Sequence, residues 1–276
     1  MFTLNCRGTL LTLDKPVVMG IINANAHSFY AASRQHSIEQ MLITAKQMLY
    51  DGATILDIGG QSTNPESTAV TAFEEMERVI PSIKAIKEKF PKSIISIDTY
   101  FADVAKAAVS AGADMVNDIS AGNLDAKMLE TVAALDVPYI AMHMKGTPQS
   151  MKNLAQYENI TREVLDYFIK KIDECNKVGT KDIIIDPGFG FAKNTEQNFE
   201  ILKNLSVFKM LEKPLLVGVS RKSMIYKTLH TTPENALNGS TVLHTFALQN
   251  GANIIRTHDV KQAMETIILL EKLDKI

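Results

Sequence analysis

Hydrophobic and polar positions along this chain fall into a repeating rhythm. A short β-branched run ends in a polar or charged cluster and is followed by a stretch with helical period. Eight such runs occur: Val17 to Asn23, Thr54 to Gly60, Ile94 to Thr99, Met115 to Ser120, Tyr139 to Met144, Ile183 to Gly188, Leu215 to Arg221 and Ile254 to Asp259. Short apolar runs that alternate with helical patterns read as the parallel strands of βα units. The helical patterns cover Ser37 to Tyr50, Ala72 to Lys89, Ala102 to Ser110, Ala126 to Leu135, Thr161 to Val178, Thr195 to Leu205, Glu234 to Gln249 and Val260 to Leu273. Gly52, Gly112, Gly179 and Gly251 each stand just past a helix, where a left-handed C-cap suits glycine. Right-handed crossovers make such a sheet parallel, and eight units predict an α/β fold, the (β/α)8 TIM barrel. Phe2 to Leu13 reads as an N-terminal β-hairpin around Arg7-Gly8, placed to plug the barrel's bottom.

In such a barrel the C-terminal strand ends share one mouth, and function is sought there. Those ends supply Asn23, Gln61-Ser62-Thr63, Asp98, Asn117-Asp118, His143, Asp186, Arg221-Lys222 and Arg256 with His258. Two long connections, Asn23 to Ser37 and Gly60 to Thr71, follow the first two strands and read as active-site lids or as ordinary surface insertions.

Composition narrows the class. A length of 276 residues with 46% hydrophobic content suits one large core, so a single domain over residues 1–276 is expected. A net charge of −2 without a run of like charge gives no footprint for nucleic acid or a membrane surface, which leaves small-molecule partners. Cys6 and Cys175 have no ligand or disulfide spacing, and the N-terminus has no basic, apolar leader pattern. No apolar stretch reaches membrane-spanning length, and the expected location is the cytoplasm.

Asp98, Asn117 and Asp186 bring carboxylate and amide groups to the mouth, groups that read the edge of a heterocycle bidentately. Singly, each also suits a helix cap or a turn. Arg221, Lys222, Arg256 and His258 lie after the seventh and eighth strands, a frequent phosphate site in this fold, and as a cluster they suit a diphosphate. Singly, Arg221 or Lys222 reads equally as a surface ion pair and His258 as a structural histidine. The segment Asp186-Pro-Gly-Phe-Gly-Phe-Ala-Lys193 joins a strand-end acid to a Gly-rich loop in which Phe191 can wall a flat ligand. The spacings of a P-loop and of a dinucleotide-binding fingerprint are both absent. His143 has no acid partner by spacing and reads as a positioning or buried group.

Taken in order, several blocks resemble dihydropteroate synthase along essentially the whole chain. They are Met19-Gly-Ile-Ile-Asn23 with Ser28-Phe29, Ile55-Leu-Asp-Ile-Gly-Gly60 with Ser62-Thr63, Ser96-Ile-Asp98-Thr, Asn117-Asp118-Ile-Ser, Met142-His-Met144 with Gly146-Thr-Pro148, Asp186-Pro-Gly188, Ser220-Arg-Lys222 and Arg256-Thr-His-Asp-Val260. The resemblance implies a transferase of folate biosynthesis and a sulfonamide target. It would condense 6-hydroxymethyl-7,8-dihydropterin diphosphate with 4-aminobenzoate and release diphosphate. By position it implies that Asp98, Asn117, Asp186 and Lys222 bind the pterin, with Thr63, Met142, Phe191 and Ser220 also touching substrates. It further implies Asn23 as an Mg2+ ligand and Arg256 with His258 as the diphosphate grip, which makes Asp98, Lys222, Arg256 and His258 the catalytic set. A homodimer through the last two helices is also implied.

The departures lie in the two long loops. Asn23-Ala-Asn25-Ala26-His27-Ser28-Phe29 stands where the family usually reads Asn-x-Thr-Pro-Asp-Ser-Phe, and Gln61-Ser62-Thr63-Asn64-Pro65-Glu66 where it usually reads Glu-Ser-Thr-Arg-Pro-Gly. The competing expectations are a non-catalytic pterin-binding paralog and a pterin-dependent methyltransferase domain, since fold alone does not separate them.

Overall fold

The structure is a computed structural model that describes residues 1–24, 31–61 and 70–273, with backbone alone over 31–37. Strands β1 (Phe2–Cys6) and β2 (Thr9–Leu13) pair antiparallel as the expected hairpin. Then follow β3 (Val17–Asn23), α1 (Ala31–Tyr50), β4 (Ile55–Gly59), α2 (Ala72–Lys89), β5 (Ile94–Asp98), α3 (Ala102–Ala111), β6 (Met115–Asp118), α4 (Met128–Leu135) and β7 (Tyr139–Met142). The chain continues through α5 (Ile160–Val178), β8 (Ile183–Asp186), α6 (Thr195–Lys203), β9 (Leu216–Val217), α7 (Ser223–Thr228), α8 (Leu237–Gln249), β10 (Ile254–Thr257) and α9 (Val260–Leu273). The eight strands from β3 to β10 are parallel in the order β8-β7-β6-β5-β4-β3-β10-β9, and a parallel bridge from Ile185 to Leu215 joins the two ends into a barrel.

Strand alternation explains how this sheet makes both a core and a site. Side chains two apart share a face. Val18, Leu56, Ile58, Ile95, Ile97, Val116 and Ile255 point outward into the helix-facing core. The intervening residues Met19, Ile55, Met115, Ile140, Ile184, Leu216 and Ile254 form a separate apolar cluster with Leu4, Cys6, Leu11 and Leu13 of the hairpin. The hairpin therefore seals the N-terminal end, as its position before the first barrel strand predicts. Asn5 N–H anchors it by donating to Asp182 Oδ2 at 2.7 Å. Two residues further along the strands the inward series turns polar, through Asp57, Ser96, Asn117, Asp186 and Arg256.

The predicted glycine caps are all left-handed, with φ of 101° at Gly52, 125° at Gly112, 93° at Gly179 and 104° at Gly251. Helix α2 starts where expected because Thr71 and Glu74 form a reciprocal capping box. Three elements differ from the pattern. The seventh barrel strand keeps only Leu216–Val217, since Gly218 follows and Arg221 turns left-handed at φ 53°. Beyond it, α7 is a separate short helix before α8, which starts at Leu237 rather than Glu234. Helix α1 reaches back to Ala31, so the first long loop is shorter than its sequence indicates.

Candidate active site

The polar inward layer is built on one arginine. Arg256, on β10, donates from Nε to Asp57 Oδ2 at 2.6 Å and from Nη2 to Asp98 Oδ2 at 2.7 Å. Asn117 Nδ2 donates to the same Asp57 oxygen at 3.0 Å. Four strands, β4, β5, β6 and β10, are thus tied across the barrel by a single cluster. Asp57 was not among the expected site residues. Its only signal is an acid inside an otherwise apolar strand, and it is fully buried. Buried carboxylates need a charge partner, and Arg256 supplies it.

Asp186, at the end of β8, accepts Gly188 N–H on Oδ1 at 2.8 Å. Lys222, at the N-cap of α7, donates to the carbonyl of Phe189 and lies 5.0 Å from the centre of the Phe191 ring. Met142 packs in the apolar cluster at the mouth that includes Ile119, Met144 and Phe191. One flank of the site is therefore charged and the other apolar, the surroundings that a flat polar heterocycle requires. Ser220 Oγ accepts from Thr257 Oγ1 at 3.1 Å and from His258 N–H at 3.3 Å, linking the ends of the last two strands. His258 stands at the rim, and Asn23 is exposed at the end of β3, opposite Gly59. Thr63, together with the departures at His27 and Asn64, lies outside the described residues.

Burial and neighbouring charge tune these groups. Burial pushes the Asp98 carboxyl up to about 7 against the pull of Arg256. It raises Asp186 too, with Lys222 opposing. The Lys222 ammonium is brought down to about 8 by burial, with Asp186 opposing. Burial also works against the Arg256 charge, yet Asp57 and Asp98 hold it above the ordinary arginine range. Burial and the Arg256 charge lower His258. Groups of both signs shifted in this way are a mark of functional sites.

Arg221 does not join the cluster. Its Nε and Nη2 fork onto Asp259 at 2.8 Å each, and Nη1 donates to the carbonyls of Pro233 and Glu234. The expected contribution of Arg221 to an anion site is replaced by a structural one, clamping α7 and the segment before α8 to the end of β10.

Among the described residues no set of three or more His, Cys, Asp or Glu side chains is placed to hold a metal ion. Asn23 offers a single amide oxygen at the rim. That donor set fits Mg2+, which keeps several waters and takes one or two protein ligands beside substrate phosphates.

The mouth of this closed βα barrel joins a buried carboxylate–arginine–amide floor to a lysine and an apolar wall, the makings of a small-molecule enzyme site. Residues 19–258 match the family model described as pterin binding enzyme. The dihydropteroate synthase of Escherichia coli K12 is 39% identical over 267 residues, spanning 96% of this chain and 94% of that protein. Among solved structures, Yersinia pestis dihydropteroate synthase in a sulfonamide drug complex superposes with a TM-score of 0.93 at 36% identity, with full coverage of both chains. The Xanthomonas albilineans dihydropteroate synthase in complex with 7,8-dihydropteroate gives 0.88 at 34% identity, covering 99% of each chain. The chain belongs to the dihydropteroate synthase family of pterin-binding enzymes.

Proposed function

We infer that this protein condenses 6-hydroxymethyl-7,8-dihydropterin diphosphate with 4-aminobenzoate, forming dihydropteroate and releasing diphosphate. The observation that carries the reading is the Asp57–Arg256–Asp98 cluster with Asn117, Asp186 and Lys222 beside it. Asp98 and Asp186 each use one carboxylate oxygen in the internal bonds described above and have a second to accept from the N–H groups of a pterin. Asn117 supplies an amide, and Lys222 a donor for a ring oxygen or nitrogen. Phe191 and Met142 provide the apolar wall for its faces.

In the reaction the bond from the pterin methylene carbon to the diphosphate oxygen breaks, the aniline nitrogen bonds to that carbon, and the nitrogen's proton is lost to solvent. The buried carboxylates stabilise positive character on the pterin as the leaving group departs, since fixed charges act most strongly where water is excluded. His258 and Arg256 are assigned to the leaving diphosphate. Mg2+, held by Asn23 and the diphosphate, would neutralise charge on the leaving oxygen. Thr63 is assigned to substrate contact and Ser220 to the diphosphate end.

A homodimer is the proposed assembly. Val242 and Phe246 on α8 and Ile268, Leu269 and Leu273 on α9 are exposed apolar side chains on two adjoining helices. The cytoplasm is the proposed compartment, which suits two buried free thiols.

The deciding experiment measures diphosphate release from the pterin substrate with Mg2+, with and without 4-aminobenzoate, beside calorimetric binding of the pterin diphosphate. Aminobenzoate-dependent release supports the synthase. Binding without release would replace it with a pterin-binding paralog disabled at His27 and Asn64.

A further inference from the structure

Lys193 has no part in the chemistry proposed above, yet it is one of the most enclosed lysines in the fold, at 9% exposure. Its Nζ meets the carbonyl of Gly188 at 2.9 Å, the carbonyl of Phe191 at 3.0 Å and His143 Nδ1 at 2.9 Å, with the His143 carbonyl at 3.4 Å. Among the described residues no carboxylate contacts it. A lysine buried against main-chain carbonyls is a crosslink between the segments that carry them.

The crosslinked segments are informative. Gly188 N–H holds Asp186, the Phe189 carbonyl receives Lys222, and the Phe191 ring lies under the Lys222 ammonium. Every expected pterin contact from β8 and its loop is fastened to the stretch that Lys193 gathers in. His143, on the other side, directly follows Met142, the apolar wall residue of β7. The joint is tight. A Cβ added at Gly188, where φ is +71°, would stand 2.1 Å from the His143 carbonyl oxygen. Gly190 is fixed in turn by Asn198 Oδ1 at 2.7 Å, and the Ala192 carbonyl by Tyr157 OH at 2.9 Å.

We propose that Lys193 is a positioning residue for pterin binding: by joining the loop after β8 to His143, it sets the Phe191 ring and the Lys222 ammonium at the distance that a pterin requires. The proposal rests on the reading of the site as a pterin site and deepens it. Lys193 makes no contact with substrate in this scheme and acts through Phe191.

The test is a double-mutant cycle of Lys193→Met and Phe191→Ala, read by calorimetry with pterin diphosphate and by steady-state KM for each substrate. Lys193→Met is expected to weaken pterin diphosphate binding about 10-fold or more while the KM for 4-aminobenzoate is unchanged. The double variant should be no weaker than the poorer single variant, because the two residues act on one wall. Lys193→Gln, whose amide can still donate to two of the carbonyls, should recover part of the loss, and it carries the cycle if Lys193→Met does not fold. Unchanged pterin affinity in a folded Lys193 variant would overturn the proposal. So would equal losses for both substrates or additive losses in the cycle, which mark a general structural role. Failure of the wild-type protein to bind pterin diphosphate would instead sink the function assigned to the site.

Discussion

Glu75 shows how much an individual buried residue in this fold differs from its appearance in sequence. It lies in the first turn of α2, fully buried, with Oε2 accepting from Gln61 Nε2 and Thr99 Oγ1 at 3.2 Å each. Its Oε1 has no partner among the described residues. Burial, with the nearby Asp98 charge adding to it, pushes the carboxyl up to about 8. In the unfolded chain the group ionises near 4.5, so between those values the folded form holds a proton that the unfolded form has lost. Stability contributed at this position therefore falls as pH rises from the unfolded value to the folded one, and is flat above it. Glu75→Gln removes that loss. It is expected to melt above wild type at pH 8, by about 2–4 °C for each kcal/mol recovered, with the gap closing toward pH 4.5. Differential scanning calorimetry across that range checks it, and a gap independent of pH would refute the assignment.

At the scale of elements, the βα rhythm was legible because both faces of each strand are apolar near the base and because left-handed glycines follow several of the helices. Strand β3 and helices α2 and α9 begin and end where the pattern places them. Short pieces were not legible. Helix α7 has six residues, too few for any periodicity to register, and β9 keeps only two residues of the run from Leu215 to Arg221 that marked it. The site was legible where a polar residue ends a strand, as at Asp98, Asn117 and Asp186. It was not legible at Asp57, which sits inside a strand and acts through a partner 199 positions away. Arg221 was misleading for the converse reason, since the Asp259 that occupies it comes from another unit of the barrel. The loop after β8 gives the sharpest test at this scale. Gly188→Ala forces a Cβ against the His143 carbonyl at a left-handed backbone position. It is expected to cost several kcal/mol of stability, roughly the sum of a steric shift and an αL penalty of about 1–2 kcal/mol. Urea denaturation reads the loss, whereas Gly8→Ala, where no atom lies within 4 Å, should cost little beyond the αL term.

For the molecule as a whole, two opposed groups set the pH range of activity. Asp98 must be ionised to accept from the pterin, so kcat/KM rises as pH climbs through about 7. Lys222 must be charged, so kcat/KM falls as pH passes about 8. A bell-shaped profile for the free enzyme is expected, its limbs belonging to the coupled cluster. Lys222→Arg keeps its charge at all accessible pH, and its residual activity should lose the alkaline limb only. An alkaline limb that persists would remove Lys222 from that role. Assembly is checked by sedimentation: wild type is expected as a dimer, and Leu269→Glu, which places a charge on the exposed face of α9, as a monomer.

The hairpin seal has a consequence for traffic. With Leu4, Leu11 and Leu13 packed under the strands, the hairpin closes the N-terminal end of the barrel. A reactant seated on its floor is loaded before anything that lies above it, and it leaves only once the upper occupant has moved. Initial-rate patterns should therefore report a compulsory sequence, pterin diphosphate first, with 4-aminobenzoate unable to dock productively in an empty barrel.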